Sequence, residues 1–187
     1  MLSLRKWMLG ALLTGASAFA ASGTVNDPGV VQPDLLTQQV MHQIRMYPNF
    51  SIFDDVKVRV ENGNVELMGA VTQPYKKSDL KRIVARTPGV TTVTNDVKVL
   101  PLSNFDNQIR MQTARAIFRD PVLSRYAIQA VPPIHIIVDN GHVTLEGVVS
   151  TEMEKNVAGI RASGASLSFG AVINNLRVEN PSPKHTT

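Results

Sequence analysis

His135, Asp139, His142 and Glu146 come nearest to a chemical constellation in this chain. A turn at Asn140-Gly141, between two alternating apolar runs, places His135 opposite Glu146 and Asp139 opposite His142, all on one face of a hairpin. Imidazoles and carboxylates on one face are donors a metal can take. The spacing, however, suits tetrahedral ligation poorly. An earlier hairpin carries Lys57, Arg59, Asn64 and Glu66 on the corresponding face. The four residues therefore read as a solvated outer face with a compatible charge pair, and neither a metal nor another cofactor is expected. The chain has no cysteine, which removes disulfides, thiolate ligands and thiol nucleophiles. It has no nucleophile elbow, no order of Ser, His and Asp that suggests a triad, and no Gly-x-x-x-x-Gly-Lys phosphate loop. No catalytic residue is assigned, and an enzyme is not expected.

Two helical stretches carry residue types that meet phospholipid. In the first, Lys77 and Lys81 border one side of an apolar stripe and Arg82 and Arg86 the other. In the second, Ile109, Thr113, Ala116 and Ile117 form the core stripe at 100° per residue. Met111, Ala114 and Phe118 then fall opposite it, with Arg110 and Arg115 to either side. Apolar side chains can enter a membrane interface while arginines meet phosphates. The alternative is that this second face packs on the neighbouring module or on Pro132-Pro133. The candidate lipid-binding set is thus Lys77, Lys81, Arg110, Met111, Ala114, Arg115 and Phe118. The partner is an anionic phospholipid surface or an envelope protein.

Residues 1–20 read as a secretory signal peptide. Arg5 and Lys6 form a positive start, Trp7 to Phe19 an apolar stretch too short to span a bilayer, and Ala18-Phe19-Ala20 a cleavage site. With no cysteine at that site, lipid attachment there is excluded, and the expected location is the periplasm or the medium. Removing Arg5 and Lys6 lowers the basic count from 19 to 17 against 15 acids, so the net charge falls from +4 to +2. A balance that small, on an exported chain, gives no reason to expect nucleic acid. Aromatics are only 5%, so any cores are small and built from Val, Ile and Leu.

Those cores come as a pair. Val56 to Gly69 recurs as Ile134 to Gly147, and Asn95-Asp96-Val97-Lys98-Val99 recurs as Asn174-Asn175-Leu176-Arg177-Val178. Upstream, Tyr47-Pro48-Asn49-Phe50 answers Asp120-Pro121-Val122-Leu123. Three matches in one order mark a duplication. The pattern predicts an α+β chain of two tandem αββαβ modules, each a three-stranded sheet with two helices on one face. In the first hairpin Val56, Val58, Val60, Val65 and Leu67 share the core face, and Arg59 lies opposite Glu66. Gly63 and Gly141 serve the turns, and Gly69 and Gly147 a bend or close approach at the end of the second strands. Helices are expected near 34–47, 74–86, 106–119 and 151–162. The divisions are a linker at 21–33, modules at 34–101 and 104–180, and a polar tail at 181–187.

The helix ending in Asp-Pro-x-Leu, the hairpin Val-x-Asn-Gly-x-Val-x-Leu-x-Gly-x-Val and a late Gly-Val-x-x-Val-x-Asn-x-Val-x-Val together resemble the BON domain (bacterial OsmY and nodulation). The first copy carries the hairpin at Val60 to Val71 and the late motif at Gly89 to Val99. The second carries Asp120-Pro121-Val122-Leu123 and the hairpin at Val138 to Val149. Tyr47 stands where the family usually has Asp, and the late motif is blurred at Ser168 to Asn174. The resemblance implies an envelope protein without catalysis, tied to osmotic stress, outer-membrane integrity or phospholipid binding.

Overall fold

A computed structural model describes residues 33–129, 131–165 and 169–179. The expected signal peptide, most of the linker and the tail lie outside the described residues. The first module runs α1 (Pro33–Arg45), β1 (Asp55–Glu61), β2 (Asn64–Val71), α2 (Pro74–Ala85), β3 (Thr92–Asn95) and β4 (Lys98–Val99). The second runs α3 (Asn104–Phe118), a single turn α4 (Ser124–Ala127), β5 (Ile134–Asp139), β6 (His142–Val149), α5 (Glu152–Ala165), β7 (Ile173–Asn174) and β8 (Arg177–Val178).

Each hairpin closes through a turn whose two central residues both have positive φ. They are 50° and 79° at Asn62-Gly63, and 50° and 81° at Asn140-Gly141. That geometry matches the right-handed twist of the strands and fixes register. Arg59 faces Glu66, His135 faces Glu146 and Asp139 faces His142, as the alternation demands. The central strand, β2 or β6, then takes the last strand on its other side in parallel.

That last strand is in two pieces. After Asn95 the Asp96 N–H still donates to the Leu67 carbonyl, and then Val97 turns fully into the core. The second copy repeats this with Asn175 on Leu145 and with Leu176 buried. Each piece pairs with the central strand, so the sheet keeps the expected three positions, with the third one kinked.

Two separate cores result. Leu36, Val40, Ile44, Val56, Val65, Leu67, Leu80 and Val84 belong to the first, and Ile109, Ile117, Ile134, Ile136, Val143 and Leu145 to the second. The hydrophobic helix stripes cover the valine face of each ribbon, which a hairpin alone could not keep dry. The modules touch. Ile52 and Phe53, in the segment between α1 and β1, pack against the second core, and the Ile136 N–H donates to the Ile52 carbonyl at 2.7 Å. The free edge of β5 is thereby covered by the neighbouring module.

Candidate functional site

Each module is tied together by a polar cluster where the central strand enters the following helix. In the first, Asp54 is fully buried just ahead of β1. Its carboxylate accepts from the Ser51 N–H and hydroxyl, the Thr72 N–H and hydroxyl, and the Lys76 ammonium at 2.7 Å. Burial pushes Asp54 up, but Lys76, the Thr72 N–H and Ser51 outweigh it and hold the carboxyl below its ordinary value. Lys76 lies on α2 four residues after Thr72. The repeat places Glu154 at the same point of α5, four residues after Ser150. The charge is reversed, and so is its partner. Glu154 accepts from the Ser150 and Thr151 N–H groups and the Tyr126 hydroxyl, and it pairs with Arg125. Burial again works against ionisation of Glu154, and Tyr126, Thr151 and Arg125 more than reverse it.

Two further ties recur. Asn95 donates from its side-chain amide to the Lys77 carbonyl of α2 at 2.8 Å and accepts from the Val97 N–H. Asn174 does the same with Lys155 and Leu176. This amide holds the kink of the last strand against the helix, which explains the Asn of the late motif. Asn95→Ala leaves the part-buried Lys77 carbonyl without its donor. It should cost roughly 1–3 kcal/mol, read as a lower urea midpoint at unchanged slope. The end of each first helix is tied to the second. Tyr47 donates to Asp79 at 2.7 Å, and Arg161 donates to Asp120 at 2.6 Å. Tyr47 thus replaces the usual acid without losing the tie.

The candidate lipid-binding residues divide. Lys81 is exposed and Lys77 half-buried on α2. On α3, Met111 is 45% exposed and Arg115 is exposed. Arg110 and Ala114 are not on an outer face: Arg110 is 3% exposed and Ala114 8%. The cause is that α3 packs along β5 and α5, so its buried arc is Asp106, Ile109, Arg110, Thr113, Ala114 and Ile117. Arg110 donates to the Val138 carbonyl on the β5 edge at 2.7 Å, and Asp106 accepts from the turn N–H groups of Asn140 and Gly141. Phe118 is half-buried against the second core. Of the anticipated strip, Met111 and Arg115 remain outside. Exposed Arg119, one turn beyond Arg115 and passed over in the sequence, joins them; its i+4 spacing was the available signal.

His135 also departs from expectation. It is on the outer face of its hairpin, yet that face is covered at His135 by the segment from Phe50 to Asp55 of the first module. Among the described residues, no group of three or more histidines and acids is placed to hold a metal. Among the same residues, no helix is long and apolar enough to cross a membrane.

Two solved structures of CdsD, a structural protein of the type III secretion system of Chlamydia trachomatis, are similar to the chain. One, of the C-terminal domain, is 18% identical with a TM-score of 0.31, covering 80% of this chain and 67% of that one. The other is 17% identical with a TM-score of 0.30, covering 77% of this chain and 61% of that one. No curated protein matches. The family model described as "BON domain" matches twice, over residues 34–101 and 106–180. With the duplicated hairpin, kinked last strand and recurring asparagine tie in both copies, the chain belongs to the BON domain family and carries two of these domains in tandem.

Proposed function

We propose that this chain is a non-enzymatic protein of the bacterial envelope that binds anionic phospholipid surfaces peripherally. The observation that carries the reading is the outer strip of α3. Met111 stands clear of the core, and Arg115 and Arg119 follow it at successive turns. Lys81 and Arg82 on α2 and Arg86 at its C-cap add exposed basic side chains in the first module, and Tyr75 in the first turn of α2 is 50% exposed. An apolar side chain among cations is the pattern by which a helix rests on an interface, with basic groups at the phosphates. The family is consistent with this role.

The test is co-sedimentation with vesicles of phosphatidylglycerol mixed into phosphatidylcholine, over a salt series. Binding is expected at low salt, to weaken as salt rises, and to be absent with phosphatidylcholine alone. Arg115→Gln should weaken it roughly fivefold, since a basic residue near an anionic surface contributes about 1 kcal/mol. No sedimentation at low salt removes the reading. Phe118→Ala is a poor probe because it also opens the second core.

A second reading, docking on another envelope protein, rests on Ile160 and Ile173. Both are exposed, and Ile160 lines a shallow depression with Asn156, Gly159, Ser163 and Asn174. Cross-linking that captures an envelope protein with the native chain and with Arg115→Gln, but not with Ile160→Asp, would favour that face instead.

A further inference from the structure

His135, whose imidazole ordinarily titrates near neutral pH, lies in the seam between the modules. His135 projects from β5 into the segment that leads from α1 to β1. Its ring centroid lies 5.7 Å from that of Phe50, at 55°. Beside it, the Ile136 N–H donates to the Ile52 carbonyl, and Ile52 and Phe53 pack on the second core. On the other side is the backbone of Gly147, so close that a Cβ there would meet His135 Cδ2 at 3.5 Å. His135 Nδ1 is buried and has no hydrogen-bond partner among the described residues.

The charged groups around the ring are already engaged. Asp54 is held by Lys76, Ser51 and Thr72. Asp55 and Glu146 share the Lys57 ammonium, at 3.6 and 3.0 Å. Neutral imidazole fits this setting. An imidazolium makes both nitrogens donors, and with Nδ1 unpaired its charge would have only the backbone of Asp54 and Ser51 and the Asp55 carboxylate to set against the cost of burial. The ion pairs across the seam, Lys57–Glu146 and Lys98–Asp139, have lysines more than half exposed. Pairs of that kind contribute little and are screened, so apolar contact around His135 is left as the main attachment. The connection from β4 to α3 is only Leu100 to Ser103, and the buried residues of the two modules form two separate clusters.

We propose that His135 is a pH-dependent latch between the two BON domains: the neutral ring keeps them docked, and protonation releases them. Burial holds the imidazole below its ordinary value, against the opposing pull of Asp55 and of the Asp54 and Ser51 backbone. Undocked modules therefore bind more protons than docked ones between that lowered value and the ordinary one of about 6.5. Docking is complete above this interval and weakens as pH falls through it. Asp55, raised by burial, acts with the opposite sign, and His135→Gln leaves its contribution in place.

The chain has no cysteine, so Lys81→Cys and Ser163→Cys, both at exposed helix positions, give a unique pair for spin labels. Distances between the labels are measured at pH 7.5 and 5.5 by electron double resonance. The expected result is one distance at the higher pH and a second, longer population at the lower. His135→Gln, which cannot take up the proton, should show the same distribution at both. Should that variant be open at both values, the native chain decides. There the His135 ring resonances must titrate over the interval in which the distance changes. An unchanged distance while the ring titrates, or an equal shift in His135→Gln, overturns the proposal. No lipid enters the experiment, so its outcome is independent of vesicle binding.

Discussion

Asp54→Ala is expected to destabilise the first module by about 3–5 kcal/mol, the usual cost of breaking a buried ion pair from one side. The loss is large because of what stays behind. The Lys76 ammonium, with its side chain 7% exposed, would keep only the Thr72 hydroxyl at 2.8 Å. The Ser51 and Thr72 N–H groups would lose their acceptor as well. Domain stabilities are typically about 5–15 kcal/mol, so urea unfolding should show a large fall in midpoint for this variant. Lys76→Met supplies the comparison. It removes the cation but leaves Asp54 with two N–H and two hydroxyl donors, and it adds no polar group. It should cost clearly less than Asp54→Ala. Equal losses would mean that the ion pair itself, and not the stranded ammonium, sets the energy.

The same cluster has a pH signature. Asp54 is held below its unfolded value of about 3.9, so its contribution is fully present above that value. It is lost as pH falls through the folded value. Acid titration of stability should therefore fall less steeply in Asp54→Ala than in the native chain.

Gly147→Ala should be of similar size, on the order of 4 kcal/mol, and for a different reason. Gly147 has φ of +117°, a region side chains rarely enter, and an added Cβ would sit 1.9 Å from the Pro133 carbonyl oxygen. Backbone strain of 1–3 kcal/mol and overpacking of about the same add together, and the obstructing atom is backbone, which cannot rotate away. Gly69 has the same relation to the Asp55 carbonyl, at 2.2 Å, so the repeat supplies a second measurement. Gly164 is the control. It is in α5 with nothing within 4 Å of a Cβ, and Gly164→Ala should stabilise by about 0.5–1 kcal/mol. A thermal or urea comparison of the three variants checks the order. A mild effect at Gly147 would mean that the strand end can shift.

The duplicated halves show how much freedom a fold leaves to its stabilising contacts. Lys76 and Glu154 occupy one position with opposite charge, each with a partner from a different part of its module: Asp54 from the segment before β1, and Arg125 with Tyr126 from α4. Tyr47–Asp79 and Asp120–Arg161 likewise make one tie with unrelated chemistry. By contrast the Asn95 and Asn174 contacts are the same atom for atom. A side-chain amide both donates to a helix carbonyl and accepts from a strand N–H, and few side chains do both.

The hairpins, their register and the repeat were legible from the residues alone, because period-two alternation and an Asn-Gly turn act within about ten residues of each other. The family and the α+β class followed from the order of those local signals. What an element meets on its far side is not a local property, and there the tertiary structure decided. Arg110 and Ala114 read as an outer face until α3 was laid along β5 and α5, which turned both inward. His135 read as solvated until the segment from Phe50 to Asp55 of the other module closed over it. The kink that sends Val97 and Leu176 inward was also hidden, since a strand of alternating residues gives no local reason to break.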